Sequence, residues 1–458
     1  MGRPNDHLPA PPELPTFRVE AGEHGSSLLT SASEGSGERH SGTGLVRHPV
    51  ALDESRIDAD AAKVVRRLER SGYQAYLVGG CVRDLLLGGK PKDFDIATSA
   101  RPEDVRSLFR NCRVIGRRFR LAHVLFGPGK VIEVATFRRS PQTEAPEDEG
   151  VDAVDDILIR SDNVFGDAHE DAIRRDFTIN ALFYDLDRRE VLDWCGGMAD
   201  IERRTIHTIG EPVVRFREDP VRILRAIKFA ARLDLGIEPE VYDAMVACRE
   251  ELARAARARL FEEILRLMRG GAAHRSMWLL WEIGAMAILL PELSAFLDDD
   301  EATGGAGERF WKRLDAIDQR TRAKGPLNDI VLWSTLLAEP LDEATTGAPD
   351  RIEAAFEFLE PIIERISMPR RIADAIRRIT AMLPRLAQGK AGRLARTELV
   401  GVAVDVLEIE LETRGQSTQS AELIAKLREE VAAAAPFVVR SRPTSRRARY
   451  GGRPRRSG

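Results

Sequence analysis

Three features are nearly absent from this chain of 458 residues: paired cysteines, long apolar runs and a secretory leader. The four cysteines form no CxxC pair, which argues against a zinc site or a disulfide framework and fits a reducing cytoplasm. No apolar run approaches the roughly 18 residues that a membrane span requires. The polar, Gly/Ser/Pro-rich N-terminus has no hydrophobic region typical of a signal peptide. We therefore expect a cytoplasmic protein without a membrane segment.

The composition favours a soluble globular protein, because 43% of the residues are hydrophobic and 31% are charged. A net charge of −4 argues against bulk nucleic-acid binding. The last residues, from 440 onward, nevertheless carry eight arginines and no acid. This tail is either a solubilising segment or one that binds RNA phosphates through counterion release.

Sequence patterns divide the chain into five segments. Residues 1–50 cannot bury enough apolar surface to order themselves, and we expect them to be disordered, as is the basic segment 439–458. Residues 51–200 alternate helical and β-branched stretches, which predicts a mixed α/β domain. Residues 201–270 and 271–438 carry apolar residues at helical spacing, which predicts an all-α half. The predicted fold class is α+β, with the sheet confined to the N-terminal part.

The periodicity also predicts individual elements. In the α/β segment these are helices at Ala61–Arg70, Cys81–Leu87 and Pro102–Phe109, and strands at Ala75–Val78, Phe94–Ala97, His123–Phe126 and Val131–Phe137. The acidic stretch Ser140–Asp171 is predicted to be mostly a long surface loop. The predicted C-terminal helices are Glu218–Leu233, Val241–Met268, Arg275–Leu290, Arg309–Leu337, Arg351–Ile366, Ile372–Leu383 and Thr397–Ala434.

The stretch VGGCVRDLLLGGKPKDFDIAT carries the strongest chemical signal. Gly79 and Gly80 end an apolar strand and open a helix, so their backbone N–H groups can approach a phosphate, as can Arg83 one turn later. Asp93 and Asp95 stand two positions apart on the next strand and share one face, where they repel each other unless a cation lies between them. Each signal is common by itself, but the combination predicts phosphate binding with Mg²⁺, which carboxylates and substrate phosphates bind together.

Glu133 lies in the middle of the apolar run VIEVA and points away from Ile132 and Val134. An unpaired carboxylate would be costly there if it were buried. Two interpretations stay open. Glu133 is a third carboxylate near the metals if its strand pairs beside the Asp95 strand, or it is an exposed acid on a half-solvated sheet.

Two later blocks mix arginines and acids. In EDAIRRDFTINA, Arg174 and Arg175 are either surface charges or triphosphate ligands, because guanidinium forks match phosphate oxygens. Asp176 follows them and is in a position to N-cap an apolar helix. In EDPVRILR, Asp219 and Arg222 are three residues apart and share a helix face. They form either an N-cap with a salt bridge or a donor–acceptor pair for a nucleobase edge.

Taken in order, the blocks VGGCVRD, DFDIAT, RRDFTINALFYD and EDPVRILRAIKFAARL resemble the class II nucleotidyltransferases, which include bacterial poly(A) polymerases and CCA-adding enzymes. The resemblance spans about residues 57–235 and implies a nucleotidyltransferase head, a neck that recognises base and RNA, and a helical body and tail. It implies that Asp93 and Asp95 bind two Mg²⁺ ions, one activating the RNA 3′-hydroxyl and the other neutralising the triphosphate. Asp176 falls on the acid of the family's RRDFT block.

Asp219 and Arg222 fall on the block that resembles the family's base reader, which selects the incoming nucleotide without a nucleic-acid template. Such a site requires no general-base histidine. The candidate catalytic carboxylates are Asp93, Asp95, Glu133 and Asp176. The candidate nucleotide-binding residues are Gly79, Gly80, Arg83, Arg175, Asp219 and Arg222.

Within the family, the stretch VIGRRFRLAHV is similar to the segment that distinguishes bacterial poly(A) polymerases from CCA-adding relatives. Its Arg117, Arg118 and Arg120 either bind RNA or form ordinary basic surface. The basic tail also fits an enzyme that holds nonspecific RNA. Lys228 departs from the pattern, because an arginine is common at this place in the family, and a weaker contact is expected there.

The function expected from the resemblance is template-independent poly(A) addition. AMP is transferred from ATP to RNA 3′ ends with release of pyrophosphate, in RNA polyadenylation and turnover. The main alternative is a CCA-adding or A-adding tRNA nucleotidyltransferase. A catalytically silent RNA-binding scaffold and, remotely, a DxD glycosyltransferase are further alternatives.

Overall fold

A mixed sheet of eight strands forms the N-terminal part of the computed structural model, which describes residues 44–434 except 117–119, 128, 140–163, 300–304 and 416–417. The strands are β1 Val46–Pro49, β2 Ala75–Val78, β3 Asp95–Thr98, β4 Cys112–Ile115, β5 Leu121–Phe126, β6 Lys130–Thr136, β7 Arg138–Arg139, β8 Val164–Phe165, β9 Phe183–Asp185, β10 Glu190–Asp193, β11 Thr205–Ile206 and β12 Gly236–Ile237. The large sheet has the order β1-β10-β9-β2-β3-β6-β5-β4, and β7–β8 and β11–β12 form separate pairs.

Helices dominate the rest of the described chain. Those of the head are α1 Ala59–Arg70, α2 Gly80–Leu86, α3 Pro102–Leu108, α4 Ala168–Ile173 and α5 Gly197–Arg203. Those that follow are α6 Pro212–Glu218, α7 Val221–Leu233, α8 Pro239–Ala247, α9 Arg257–Met268, α10 Ala273–Glu282, α11 Ala285–Leu289, α12 Pro291–Asp298, α13 Ala306–Lys324, α14 Asp329–Leu336, α15 Ala338–Thr345, α16 Arg351–Ile366, α17 Arg370–Ala387, α18 Val400–Thr413 and α19 Thr418–Ala433. None of the described helices is long and apolar enough to cross a membrane.

The mixed sheet followed by helices confirms the predicted fold class. Within the large sheet only β3 and β6 run parallel, and the other neighbouring pairs are antiparallel. Side chains alternate between the two faces of each strand. Leu77 and Ile96 therefore pack with α1 on one face, while Ala97 packs on the other face with Phe183 and α4. Asp95 shares the Ala97 face, at the end of β3 where the cleft described below opens.

The predicted N-terminal boundary near residue 50 is corrected, because Val46–Pro49 forms β1 and pairs antiparallel with β10. Residues 1–43 and the tail 439–458 lie outside the described residues. Most of the predicted loop Ser140–Asp171 lies outside the described residues, but its end is regular: β8 pairs with β7, and Asp167 is the N-cap of α4. Asp167 and Glu170 form a capping box, a sequence signal for a helix start that the acidic composition obscured.

The apolar helix expected after Asp176 is wrong. One 3₁₀ turn, Thr178–Asn180, leads instead into strand β9, because Phe183 pairs with Val78 of β2 and Leu192 of β10. The all-α half also contains the short parallel pair β11–β12.

Four long predicted helices are each broken in two. The breaks lie at a 3₁₀ segment, Arg249–Arg254, and at Gly284, Gly325 and the stretch after Thr413. Apolar spacing continues across these breaks, but Gly284 and Gly325 have φ of +77° and +88°, which ends a helix.

Candidate active site

One cleft of about 1880 Å³ lies between the end of the head sheet and helices α7 and α9. Its lining contains all ten residues that the sequence singled out: Gly79, Gly80, Arg83, Asp93, Asp95, Glu133, Arg175, Asp176, Asp219 and Arg222. The fold therefore brings together blocks that are up to 143 positions apart in the sequence. Their individual roles stay predictions, and the contacts below show what each side chain is placed to do.

The carboxylate cluster consists of Asp93, Asp95 and Glu133. Asp95 lies directly opposite Glu133 in the parallel β3–β6 pair, and Asp93 stands just before β3. Asp95 is accessible to solvent, but desolvation by the surrounding cleft raises its pKa to about 6, with further contributions from Glu133 and Asp93, while Arg175 opposes the shift. Arg175 compensates this crowding of carboxylates only in part, and their hard oxygen donors suit Mg²⁺. Within the described ranges, no group of three or more histidine, cysteine, aspartate or glutamate side chains is arranged to hold one ion, so substrate oxygens would have to complete the coordination.

Gly79 is the residue before α2 and has φ of +69°, a left-handed conformation that favours glycine. Its N–H donates to the carbonyl oxygen of Leu182, so β2 and the segment before β9 are tied together at this point. A Cβ added at Gly79 would lie 2.9 Å from Nη1 of Arg175. The glycine thus permits the arginine to lie against the backbone turn at the start of α2.

Replacing Gly79 by alanine tests this close approach. An L side chain at positive φ costs about 1–2 kcal/mol, and the new methyl would also displace Arg175. We expect Gly79→Ala to lower the free energy of unfolding and to raise the KM for nucleotide several-fold. Gly88→Ala is the matched control, because Gly88 has φ of +75° but no atom within 4 Å of an added Cβ. It should lose stability only, and an equal KM in both variants would contradict the steric role of Gly79.

Arg175 is fixed by three kinds of contact. Nη2 donates to Oδ2 of Asp171 at 2.9 Å, Nη1 donates to the carbonyl oxygen of Asn180 at 3.1 Å, and the guanidinium lies 5.0 Å from the ring centre of Phe183. Asp171 is buried, which would raise its pKa, but Arg175 and Arg174 hold the pKa below its usual range. Arg175 is therefore a preorganised cation on the cleft wall.

Arg83 also lines the cleft, but its side chain is only 3% exposed. It donates to Oδ1 of Asn180 and to Oδ1 of Asp84, and it lies 4.8 Å from the ring centre of Phe229. These contacts join α2 to the RRDFTIN block and to α7. Asn180 was missed at the sequence level because nothing local distinguishes it from an ordinary turn residue.

Asp176 is buried, and both of its oxygens are used. Oδ1 accepts from the N–H of Phe177 and from Nδ2 of Asn180, and Oδ2 accepts from Nε of Arg225 at 2.6 Å. Burial would raise the pKa of Asp176, but Arg225 and these donors lower it to about 2. Asp176 thus holds Arg225, a cleft residue that the sequence analysis did not select although it is the second arginine of EDPVRILR.

Asp219 and Arg222 line the cleft but do not bond to each other's side chains. Nη1 and Nη2 of Arg259 donate to the two oxygens of Asp219 at 2.9 and 2.8 Å, whereas Nη1 of Arg222 donates to Glu218 at 2.9 Å. Pro220 is the N-cap of α7, so Asp219 lies before the helix. The local salt bridge that the spacing suggested is therefore wrong, and each side chain is held by a different partner.

Lys228, the departure from the family pattern, lies on the same helix. Its Nζ donates to Oε2 of Glu263 at 3.2 Å and lies 4.7 Å from the ring centre of Phe229. Burial, with the nearby Arg225, lowers the pKa of Lys228 to about 8. Lys228 thus contacts Glu263 through a single ammonium group, where an arginine would offer a guanidinium with several donors.

Comparison with known proteins agrees with this arrangement. Two family models match the chain: the poly A polymerase head domain over residues 75–207, and the probable RNA and SrmB-binding site of polymerase A over residues 234–297. The Poly(A) polymerase I of Salmonella typhimurium is 39% identical over 379 residues, which cover 80% of this chain and 81% of that protein. The CCA-adding enzyme of Geobacillus stearothermophilus is 38% identical over 233 residues, or 50% of this chain and 54% of that enzyme.

Among solved structures, the Bacillus stearothermophilus CCA-adding enzyme in complex with CTP matches with a TM-score of 0.58 and 27% identity, covering 81% of both chains. The fold of head and helical region is thus shared with a nucleotidyltransferase, and the sequence similarity extends over most of the chain. The resemblance drawn from the four sequence blocks is confirmed, and the chain belongs to the poly(A) polymerase family of nucleotidyltransferases.

Proposed function

We propose that this protein is a polynucleotide adenylyltransferase that adds AMP from ATP to RNA 3′ ends without a template. The supporting observation is one cleft that combines acidic side chains, basic side chains suited to a triphosphate, and the Asp219–Arg222 block. In this reaction the RNA 3′-hydroxyl releases its proton to solvent, and its oxygen forms a bond to the α-phosphorus of ATP. The bond from that phosphorus to the oxygen bridging the α- and β-phosphates breaks, and pyrophosphate leaves with that oxygen.

Asp93 and Asp95 are the residues that would hold the two Mg²⁺ ions, with Glu133 beside Asp95. When bound, such ions activate the attacking 3′-oxygen and neutralise the triphosphate and the leaving pyrophosphate. The raised pKa of Asp95 supports the fit, because desolvation and the neighbouring Glu133 and Asp93 raise it and Arg175 offsets them only in part.

Arg175 and the backbone N–H of Gly80 are proposed to bind the triphosphate, since both residues line the same cleft as the carboxylates, whereas the N–H of Gly79 is used by the carbonyl oxygen of Leu182. The base lies further along, at Asp219 and Arg222. Among the described residues, Arg222 uses only Nη1, which leaves donors of its guanidinium for a base edge. Asp219, held from one side by Arg259, keeps lone pairs that can accept from an exocyclic amino group.

The RNA end is proposed to enter along α9 and the loops around it. Arg254, Arg259, Arg266 and Arg269 line the cleft there, within the stretch that matches the RNA-binding family model. Such a set of guanidinium groups attracts phosphates regardless of sequence.

A nucleotide-selectivity assay separates poly(A) addition from CCA addition. Poly(A) addition is favoured over CCA addition because the similarity to a Poly(A) polymerase I covers 80% of the chain, whereas the similarity to a CCA-adding enzyme covers 50%. With Mg²⁺, we expect repeated incorporation of ATP on an unstructured RNA and little use of CTP. A tRNA lacking its CCA end, compared with the same tRNA carrying it, provides the control. Efficient ordered addition of CTP and then ATP to the shortened tRNA would overturn the proposal, and no extension with any nucleotide would favour a silent scaffold.

A further inference from the structure

Arg215 lies behind the cleft wall and is not among the residues that line it. It stands on α6, is 8% exposed, and uses both of its terminal nitrogens. Nη2 donates to the carbonyl oxygens of Arg174 and Arg175 at 2.9 and 2.5 Å, and Nη1 donates to Oε2 of Glu218 at 2.7 Å. One buried guanidinium thus connects the segment that presents Arg175 with the acid that ends α6.

Glu218 continues this connection to the base side of the cleft. The same oxygen, Oε2, accepts from Nη1 of Arg222 at 2.9 Å, and that nitrogen also donates to the carbonyl oxygen of Arg215. Arg222 is itself 6% exposed, so its guanidinium has little freedom to move without breaking these bonds. A chain of charge-assisted hydrogen bonds therefore runs from the backbone at Arg175 to the side chain of Arg222.

We infer that Arg215 is a positioning residue that couples the triphosphate side of the site to the base side. The inference rests on the proposed function, in which Arg175 faces the triphosphate and Arg222 faces the base. The guanidinium of Arg215 is planar and rigid. It bonds backbone carbonyls on one side and Glu218 on the other, and it thereby fixes the distance between Arg175 and Arg222. When the base of a nucleotide forms its hydrogen bonds with Arg222, the phosphates of that nucleotide are then aligned with Arg175 and with the carboxylates.

This arrangement predicts an effect on selectivity as well as on rate. Without the link, Arg222 can tilt to meet other bases, and the alignment of the triphosphate no longer depends on which base is bound. Arg215→Met keeps the apolar stem but removes the charge and the fork. We expect it to reduce kcat/KM for ATP by about 10- to 100-fold, as loss of a site-orienting group does, and to narrow the ratio of ATP to CTP incorporation at least several-fold.

The experiment compares four variants of the full chain by single-nucleotide extension with each of the four NTPs. Arg217→Met is the matched control, because Arg217 stands two positions away on α6, is exposed and does not line the cleft. It should behave like the unchanged protein. Arg215→Lys keeps a charge but cannot reach all three acceptors, and we expect it to recover part of the ATP preference. Glu218→Gln removes the charge that Arg215 and Arg222 share. It therefore tests the same connection if Arg215→Met folds poorly.

Two outcomes would overturn the inference. One is an equal loss of kcat/KM for all four NTPs in Arg215→Met and Glu218→Gln, which indicates a general structural role. The other is an unchanged ATP preference and rate in both. Failure of the proposed function is recognised separately, because the unchanged protein would then show no preference for ATP. If it prefers CTP instead, the same comparison of variants tests the coupling with that nucleotide.

Discussion

Asp95→Asn is expected to abolish most nucleotide addition without weakening the fold. Loss of one charge-stabilising group in a preorganised site typically costs roughly 10²- to 10³-fold in rate, and Asp95 is one of the two acids proposed to hold the metals. The free energy of unfolding should stay equal or increase, because Asp95 lies directly opposite Glu133 and close to Asp93. Replacing one of these mutually repelling carboxylates by an isosteric amide relieves that repulsion.

Extension rates over a Mg²⁺ titration, together with Tm measured in the absence of divalent cations, check this prediction. Asp243→Asn is the control, since Asp243 is an exposed acid of α8 that does not line the cleft. It should retain both activity and Tm. A clear fall in Tm for Asp95→Asn would show that the carboxylate supports the fold, and near-normal extension would remove Asp95 from the proposed metal site.

The local parts of the site could be predicted from the sequence. The glycine pair before α2 and the spacing of Asp93 and Asp95 depend on one strand, one turn and one short helix, all of which follow from local pattern. The position of Glu133 beside Asp95 could not be derived in the same way. It depends on the parallel pairing of β3 with β6, a contact between strands that the chain reaches only after β4 and β5.

The contacts of Asp219 and Arg222 could not be predicted from their spacing in the sequence. Residues three apart share a face only if both are helical, but Asp219 has φ of −149° and ψ of 90°, and the helix begins after Pro220. Its carboxylate consequently turns to Arg259 on α9, a partner set by helix packing. Arg215 carried no local signal at all, because a buried arginine looks like a surface one until the surrounding elements are assembled.

Asp176→Ala is expected to show the opposite pattern to Asp95→Asn, with a large loss of stability. Both oxygens of Asp176 are engaged, and removal of one partner from a buried ion pair typically costs about 3–5 kcal/mol, because the other charge stays uncompensated. The lower end of that range applies here, since the Arg225 side chain is 30% exposed and water can solvate part of it. Urea denaturation at neutral pH measures the loss, and Asp176→Ala/Arg225→Met should recover part of it by removing the orphaned charge.

The pH dependence gives a second measure of the same pair. Because the folded-state pKa of Asp176, about 2, lies below the ordinary aspartate value of 3.8, its contribution to the free energy of unfolding is complete above about pH 4. That contribution is lost as the pH falls from about 4 toward 2. A shift of this size corresponds to roughly 2 kcal/mol. Asp176→Ala should therefore lack this component, and its stability should change less over that pH range than that of the unchanged protein.

These measurements also decide what Asp176 does in the reaction. If it acts by holding Arg225, residual activity of Asp176→Ala should keep the Mg²⁺ dependence of the unchanged protein, and the decrease in rate should follow the displacement of Arg225. Arg225→Met should then reproduce much of that decrease, because it removes the group that Asp176 positions. Full stability combined with an altered Mg²⁺ dependence would instead identify Asp176 as a metal-binding carboxylate. Its three hydrogen bonds and the ion pair with Arg225 favour the positioning role, since they occupy both oxygens within the fold.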